Sequence, residues 1–255
     1  MMENKREKVL GYSVDLYNMQ ESIDFCLKSI KNNKNCHVVT INPEIIELAN
    51  KNKEYESIIK NANLVIPDGV GIKIALKLKG LNIKQVPGIE FAYELLKRVS
   101  EENLKVALIG AKPEVIEKAV KNLKQSIEKI EVSYYKDGYF SKEEEYNIIN
   151  KIIESDPKVV LVALGAFKQD KFIQKIKEHT TSGVIFVGVG GSFDVWSGYT
   201  KRAPIVYQKL GLEWLYRIIT QPQRIKRIFP TLPLFLIKAI IDSIQVRIEK
   251  LWKNS

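Results

Sequence analysis

The chain has 255 residues, enough to bury a full hydrophobic core, and its 45% hydrophobic and 27% charged content is typical of a globular protein. Its two cysteines, Cys26 and Cys36, form no C-x-x-C pair, which argues against a zinc site or a disulfide scaffold and favours a reducing, cytoplasmic setting. We expect no signal peptide and no membrane span, because the N-terminus is charged and no run approaches the ~20 apolar residues of a span.

Strands and helices are predicted to alternate along most of the chain. Residues 8–17 can form an edge hairpin, and several later apolar runs are continuous, as in parallel strands buried on both faces. These runs are HVVTI, LVIPD, KVALIG, IEVSYY, VVLVALG and GVIFVGVGG. Amphipathic segments between them predict helices over residues 43–60, 70–78, 90–102, 113–127, 142–155 and 169–179.

Local start signals agree with these predicted helices. Pro43 and Pro113 fall where a first helical turn would begin, and Asn42 precedes Pro43 as a candidate N-cap. A strand followed by a helix recurs about every 25–30 residues, which is typical of βαβ units. The sequence therefore predicts an α/β fold with a mostly parallel sheet flanked by helices.

The pattern changes after the last predicted strand. Residues 205–220 predict a helix with a wide apolar face, and Pro222 interrupts it before the short basic segment QRIKRIF. Pro230 and Pro233 interrupt the chain again. A last amphipathic helix is then predicted over residues 234–252.

We expect a core over residues 1–196 and a basic, helical appendage over residues 197–255. Residues 201–255 carry 11 Lys and Arg but 3 Asp and Glu, a net charge of +8 out of +10 for the whole chain. All three tryptophans also lie in the last third. Because large apolar residues are interleaved with the basic ones, this composition favours a helix in a membrane interface over a nucleic-acid groove.

Asp68 is the strongest single candidate for a functional residue. Ligands bind at the carboxyl ends of strands in an open parallel sheet, and Asp68 lies directly after an apolar strand and before a glycine-containing helix start. A carboxylate there can accept a proton from a bound hydroxyl as a general base. The alternative is that Asp68 only caps the following helix.

Other small and polar residues follow the remaining strands. Thr40 and Asn42 form a polar pair whose alternative role is capping. Gly110 opens a strand-to-helix turn of the kind that attracts phosphate, although it belongs to neither a G-x-G-x-x-G motif nor a P-loop. The glycine-rich segment that ends at Asp194 either holds a ribose or makes a tight turn. His37 is predicted to be packed in the core.

Three arginines stand out in the appendage. Arg217, Arg224 and Arg227 would share one side of a continuous helix, although Pro222 interrupts it. The planar guanidinium suits a diphosphate, and the alternative is a solvated basic face. The sequence has no Asp-x-Asp motif to hold a metal ion, so we expect arginine to stabilise a leaving diphosphate instead.

Eight segments carry a resemblance to a known family. They are TINPEII, IPDGVGI, VPGIEF, ALIGAKPEV, YYKDGYF, LGAFKQDKFI, VGVGGSFDVWSGYTKRAP and WLYRIITQPQRIKR. Together and in this order they resemble the WecG/TagA/CpsF glycosyltransferase family over roughly residues 8–230.

The resemblance implies an enzyme of cell-wall polymer synthesis. It implies inverting transfer of N-acetylmannosamine from UDP-ManNAc to the C4 hydroxyl of GlcNAc on undecaprenyl diphosphate, an early step of wall teichoic acid synthesis. A Rossmann-like core, no metal or other cofactor, and an appendage docked on the inner face of the plasma membrane are implied as well. Homo-oligomers are common in the family.

The resemblance also assigns roles to individual residues. Asp68 matches the proposed catalytic base, and Thr40 is placed beside it in the catalytic site. The positions matched to substrate binding are Asn42, Gln169, Asp194, Arg217, Arg224 and Arg227. Gly110, Ala111, Gly138 and Gly191 are further candidates for substrate binding, because they follow predicted strands. Phe167 replaces a proline of the family pattern, Asp170 stands at its acidic position, and Gln85 stands where relatives often have arginine.

Three other interpretations stay open. The donor can be another UDP-sugar, such as UDP-N-acetylmannosaminuronic acid or UDP-glucose. A nucleotide- or nucleic-acid-binding module with a basic tail is a second, non-enzymatic reading. In the third, the apolar tail is an oligomer interface only.

Overall fold

The computed structural model of the protein describes residues 6–180, 183–220 and 225–253. Within these ranges, six strands form a central sheet in the order β4-β3-β8-β7-β5-β6, and all neighbouring strands are parallel. The strands are β3 (Cys36–Ile41), β4 (Leu64–Pro67), β5 (Lys105–Gly110), β6 (Glu131–Lys136), β7 (Val159–Ala163) and β8 (Ile185–Gly188). The predicted parallel α/β sheet is therefore confirmed.

An antiparallel hairpin precedes this sheet and forms a separate two-stranded sheet. It consists of β1 (Arg6–Val9) and β2 (Tyr12–Asp15). Leu10 and Gly11 in its turn both have positive φ, 50° and 86°, as a tight hairpin turn requires. Asp15 accepts a hydrogen bond from the backbone N–H of Val65 at 2.7 Å, which attaches the hairpin to β4.

Twelve helices lie in the described ranges. They are α1 (Met19–Lys31), α2 (Pro43–Asn50), α3 (Lys53–Lys60), α4 (Gly69–Leu78), α5 (Gly88–Glu101), α6 (Pro113–Ser126), α7 (Lys142–Glu154), α8 (Lys168–His179), α9 (Ser192–Trp196), α10 (Ile205–Lys209), α11 (Glu213–Thr220) and α12 (Ile225–Lys253). The segment that forms α1 is not among the helices that the apolar periodicity predicts.

The sheet is covered on both faces, as the continuous apolar runs predict. Along β5, Val106 and Leu108 pack with α1, α5 and α6, whereas Ala107 and Ile109 pack with α7 and α8. Cys26 and Cys36 lie in the first of these clusters, 0% and 1% exposed. Burial raises the pKa of the Cys26 thiol well above its ordinary value.

Two segments that the periodicity predicts as single helices are each divided in the structure. Residues 43–60 form α2 and α3, because Asn52 starts a new helix by accepting a hydrogen bond from the backbone N–H of Tyr55 at 3.0 Å. Residues 205–220 form α10 and α11, which Gly211 separates with a φ of 71°. Apolar periodicity continues through both breaks and so gives no sign of them.

The last helix corrects a further prediction. The proline positions 230 and 233 predict interruptions, yet α12 runs unbroken from Ile225 to Lys253. Each proline removes one backbone donor, and we attribute the continuity to packing of the helix on the core. Phe235 and Ala239 are 0% and 1% exposed against α2 and α4.

Two ion pairs also join α12 to the core. Lys238 contacts Glu47 in α2, and Asp242 lies 2.6 Å from the ammonium of Lys79, which also donates to the Lys8 carbonyl. The opposite side of α12 is apolar and exposed at Leu234, Ile237, Ile240, Ile241 and Ile244. None of the described helices combines the length and the hydropathy that a membrane span requires.

Candidate active site

The carboxyl ends of β3, β4, β7 and β8 surround a cavity of about 360 Å³, here called the glycine-rich cavity. The fold explains its position, since these four strands are neighbours and all end at the same edge of the sheet. The lining residues include Thr40, Asn42, Asp68, Gly165, Gln169, Gly188, Gly190, Gly191, Ser192, Asp194 and Arg217.

A second cavity, of about 170 Å³, adjoins the first. We call it the appendage cavity, because α11 and α12 contribute part of its wall. Asn42, Glu44, Asp68 and Arg217 line both cavities and form the boundary between them. The remaining lining of the appendage cavity includes Pro43, Val70, Gly71, Gln85, Glu213, Trp214, Thr231 and Leu232.

Asp68 occupies the N-cap position of α4, but its side chain makes no capping hydrogen bond. Burial, together with the Glu213 carboxylate, raises the pKa of Asp68 to about 6. The Arg217 guanidinium and the backbone N–H groups of Gly88 and Gly69 act in the opposite direction. A carboxylate with this pKa is ionised at neutral pH and is a better proton acceptor than an ordinary aspartate.

Thr40 and Asn42 both reach the glycine-rich cavity from the end of β3. Asn42 caps α2 as predicted, because its side-chain oxygen accepts a hydrogen bond from the backbone N–H of Ile45 at 3.0 Å. The Thr40 side chain packs against Gly88, where an added Cβ would lie 2.9 Å from its Oγ1. A glycine at the start of α5 is therefore what allows this helix to approach Thr40 and Asp68.

Gln169 is fixed at the start of α8 by contacts with the end of β8. Its Oε1 accepts a hydrogen bond from the backbone N–H of Gly190 at 3.2 Å. A Cβ on Gly188 would lie 2.3 Å from its Nε2, so only glycine leaves room for this amide. Phe167, at the family's proline position, has a φ of 69°. Proline cannot adopt that angle, so this loop differs from one that carries proline there.

A buried polar network lies directly beneath Gln169. Asp170, 1% exposed, has one carboxylate oxygen 3.0 Å from Nε2 of His37 and the other 3.1 Å from the Tyr55 hydroxyl. The Gln174 amide nitrogen lies 3.1 Å from Nδ1 of His37. These contacts fit a neutral imidazole that donates to Asp170 and accepts from Gln174. His37 is thus packed in the core, as predicted.

A third cavity, lined by several lysines, extends from Asp194 toward β6. Its volume is about 1,030 Å³. Ala111 and Gly138 line it and are joined by a hydrogen bond from the Gly138 N–H to the Ala111 carbonyl, at 2.8 Å. Gly110 has a φ of 125° and packs so tightly on Ala163 that a Cβ would lie 2.3 Å from its carbonyl oxygen. Asp194 lines this cavity and the glycine-rich one.

The three predicted arginines lie in or near the helices α11 and α12. Arg217 in α11 lines the glycine-rich cavity and the appendage cavity. Arg224 lies outside the described residues. Arg227 lies within α12, and its side chain is outside the description as well.

Sequence reasoning missed Glu44, Glu213 and Trp214 as residues of this site. Glu213 precedes Arg217 by four residues in α11, so the two share one face of that helix. Glu44 follows Asn42 in the first turn of α2. The available signals were the helical spacing of Glu213 and Trp214 from Arg217 and the position of Glu44 in the first turn after the Asn42 cap. Within the described residues, no group of three His, Cys, Asp or Glu side chains is arranged to hold a metal ion.

Comparisons with known proteins identify a matching family and several similar chains. Residues 7–248 match the model of the glycosyl transferase WecG/TagA/CpsF family. Similar proteins named N-acetylglucosaminyldiphosphoundecaprenol N-acetyl-beta-D-mannosaminyltransferase occur in Bacillus spizizenii, Bacillus subtilis and Staphylococcus aureus.

The similarity to these three proteins extends over most of each chain. The Bacillus spizizenii protein is 37% identical over 76% of this chain and 75% of its own length. The values are 34%, 82% and 82% for Bacillus subtilis, and 33%, 90% and 90% for Staphylococcus aureus. The chain belongs to the WecG/TagA/CpsF glycosyltransferase family.

Proposed function

We propose that the protein transfers N-acetylmannosamine from UDP-ManNAc to GlcNAc-diphosphoundecaprenol, the acceptor in the names of its relatives. This reaction commits a lipid-linked disaccharide to wall teichoic acid synthesis. The observation that carries the proposal is the position of Asp68, whose carboxylate lies at the boundary of two cavities with Arg217 as its neighbour.

The chemical step is a single displacement. The Asp68 carboxylate takes the proton of the acceptor's C4 hydroxyl, and that oxygen forms a bond to the anomeric carbon of the donor sugar. The bond from that carbon to the UDP oxygen breaks on the opposite face, so the configuration inverts and UDP leaves with the electron pair. Arg217 stabilises the charge that develops on the diphosphate, and Arg224 and Arg227 assist it.

The donor occupies the glycine-rich cavity and continues toward the third cavity, which is lined by several lysines. Thr40 and Asn42 bind the donor sugar, while Gln169 and Gly191 border it. Asp194, which lines both cavities, lies where a ribose would connect sugar diphosphate and base. Gly110, Ala111 and Gly138 shape the nucleotide end, where small residues let backbone N–H groups approach phosphate.

The appendage, residues 197–255, brings the enzyme to its lipid-linked acceptor at the inner face of the plasma membrane. Support comes from the exposed apolar side of α12, where Ile237, Ile241 and Ile244 are 50–57% exposed, and from the net charge of +8 over residues 201–255. A helix with apolar and basic residues binds anionic bilayers through both kinds of contact. The core, residues 1–196, then acts from the cytoplasm as part of a homo-oligomer or alone.

The reaction is tested by measuring UDP release from UDP-ManNAc with and without lipid-linked GlcNAc diphosphate, in buffer and in EDTA. We expect acceptor-dependent release that survives EDTA. Loss of activity in EDTA would contradict stabilisation of the leaving group by arginine alone. UDP-glucose and UDP-N-acetylmannosaminuronic acid are run in parallel, and faster release from either would replace UDP-ManNAc as the donor.

Membrane association is tested with vesicles that contain anionic lipid, across a salt series. We expect binding that persists at high salt, because apolar contacts are not screened. A variant with Ile237→Asp and Ile241→Asp should lose this binding, whereas Tyr146→Asp, which adds a charge at an exposed aromatic of α7, should retain it. Light scattering of the same variants distinguishes a membrane-binding surface from an oligomer interface. If the apolar side of α12 is an oligomer interface only, the double variant should have a smaller mass than the parent, and the parent should not bind vesicles.

A further inference from the structure

We propose that the appendage cavity is the binding site for the acceptor's sugar, with Trp214 as the platform for the pyranose ring and Glu213 as a hydrogen-bond acceptor for its polar groups. This assignment rests on the proposed function and specifies where its second substrate lies. The cavity has no other role in the mechanism described above.

The two cavities meet at Asp68. A displacement with inversion requires the attacking hydroxyl and the leaving diphosphate on opposite sides of the anomeric carbon, with the base beside the hydroxyl. Asp68 lies on the boundary of the two cavities and Arg217 beside it. If the glycine-rich ends of β7 and β8 hold the nucleotide sugar, the appendage cavity is the space from which an acceptor hydroxyl reaches the Asp68 carboxylate.

The wall of the appendage cavity combines apolar and polar side chains. A pyranose ring has an apolar face and a rim of hydroxyl and amide groups. Val70, Trp214 and Leu232 offer apolar surface, whereas Glu213 and Gln85 offer polar atoms. Trp214 is half-buried, and within the described chain neither its ring nor its indole nitrogen has a hydrogen bond or a stacked partner. A half-buried tryptophan in a cavity wall offers an apolar ring and a polar N–H edge, a combination that suits a sugar.

The appendage cavity lies next to the exposed apolar side of α12. Thr231 and Leu232 bring α12 into its wall, directly before the exposed apolar side of that helix, which begins at Leu234. A sugar bound against Trp214 therefore has a lipid-facing surface close to its far end. Among the described residues, none from α12 lines the glycine-rich cavity, so that cavity has no such connection.

The test measures the acceptor and the donor separately in the full-length protein. In Trp214→Ala we expect the KM for lipid-linked GlcNAc diphosphate to rise by about ten-fold or more, and the Kd for UDP, measured by calorimetry, to stay within about two-fold. Trp214→Phe keeps an aromatic face, so its acceptor KM should lie between those of the parent and Trp214→Ala. The unchanged UDP affinity also shows that the variant is folded.

Tyr216→Ala is the matched control. Tyr216 lies in the same helix and contacts the Tyr207 ring, with centroids 5.5 Å apart, but it lines neither cavity. It should leave the acceptor KM unchanged. Glu213→Gln, which preserves shape, should raise the acceptor KM without changing UDP affinity.

Two results would overturn the assignment, and they differ in scope. Absence of acceptor-dependent UDP release in the parent protein would remove the proposed function and this site with it. Normal turnover in the parent with an unchanged acceptor KM in Trp214→Ala, or an equal loss in Tyr216→Ala, would remove the acceptor site alone. A loss of UDP affinity that matches the rise in KM would place Trp214 at the donor instead.

Discussion

Lys238 in α12 donates to both carboxylate oxygens of Glu47 in α2, at 2.7 and 2.9 Å. The Glu47 side chain is 8% exposed, so its charge is compensated mainly by this one residue of the appendage. The pair therefore links the position of the last helix to the start of α2, where Asn42 and Glu44 border both cavities.

Replacing this lysine should destabilise the protein. In Lys238→Ala a buried carboxylate loses its partner, and we expect the free energy of unfolding in urea to fall by about 1–3 kcal/mol. Lys60→Ala is the control, because the Lys60–Glu56 pair is a solvent-exposed contact within α3 and should change stability by less than about 0.5 kcal/mol. Equal losses in the two variants would show that the Glu47 contact is no more than a surface pair.

Asp68→Asn should separate activity from stability. We expect turnover to fall by at least about a hundred-fold, since the amide cannot take the proton of the acceptor hydroxyl. Asp156→Asn, at an exposed position with positive φ that asparagine tolerates, should keep full activity. Turnover near the parent value in Asp68→Asn would remove Asp68 from the role of base.

Asp68→Asn should be no less stable than the parent protein at pH 7. The folded-state pKa of Asp68, about 6, lies above its ordinary value of 3.8, so its contribution to stability falls as the pH rises between these two values. At neutral pH the ionised carboxylate therefore opposes folding, and an amide removes that cost. Thermal unfolding at pH 7 and at pH 4 checks this, because the advantage of the asparagine should be present only at the higher pH.

The pH dependence of kcat/KM should report the ionisation of Asp68. We expect activity to fall below about pH 6, as the carboxylate becomes protonated. Glu213 raises the pKa of Asp68 and Arg217 lowers it, so Glu213→Gln should move the acidic limb to lower pH and Arg217→Gln should move it to higher pH. Shifts in the same direction would contradict this electrostatic arrangement, whatever the loss of rate in each variant.

The buried network beneath Gln169 should support donor binding indirectly. Asp170→Ala leaves the Tyr55 hydroxyl and the His37 ring without their acceptor, and we expect a loss of about 2–4 kcal/mol in stability and weaker UDP binding. Asp170→Asn should restore most of both, because its amide oxygen can still accept from Tyr55 and its amide nitrogen can donate to the other His37 tautomer once the Gln174 amide turns its oxygen toward Nδ1. Tyr55→Phe removes one hydrogen bond and should cost about 1 kcal/mol. UDP affinity unchanged in Asp170→Ala would make the network purely structural.

Much of the core and part of the site follow from local sequence. Continuous apolar runs predict buried parallel strands, and once the strands are parallel their ends meet, which places Thr40, Asn42 and Asp68 together. The helix breaks at Asn52 and Gly211 do not follow, because apolar periodicity runs across them. The segment of α1 did carry a readable signal, a capping box formed by Asn18 and Glu21.

The appendage is the part that local sequence predicts least. The prolines of α12 predict interruptions, but contacts distant in sequence, such as Phe235 with the core, maintain one helix. Glu213 and Trp214 enter the site only because α11 returns to the carboxyl end of β4, where it lines a cavity together with Asp68 and the start of α4. No local periodicity encodes that return, so the sequence indicates a basic apolar tail without showing which of its residues face Asp68.

The burial of Cys26 and Cys36 has a practical consequence for experiments that monitor whether the appendage binds a membrane. They are the two cysteines of the chain, and both are closed to solvent, with the Cys26 thiol held protonated. Thiol reagents require an accessible thiolate, so the native protein should stay unlabelled by maleimide dyes. A single Ile241→Cys substitution on the exposed side of α12 would then carry a fluorophore at one defined position, and its emission would report directly whether that helix enters a lipid environment.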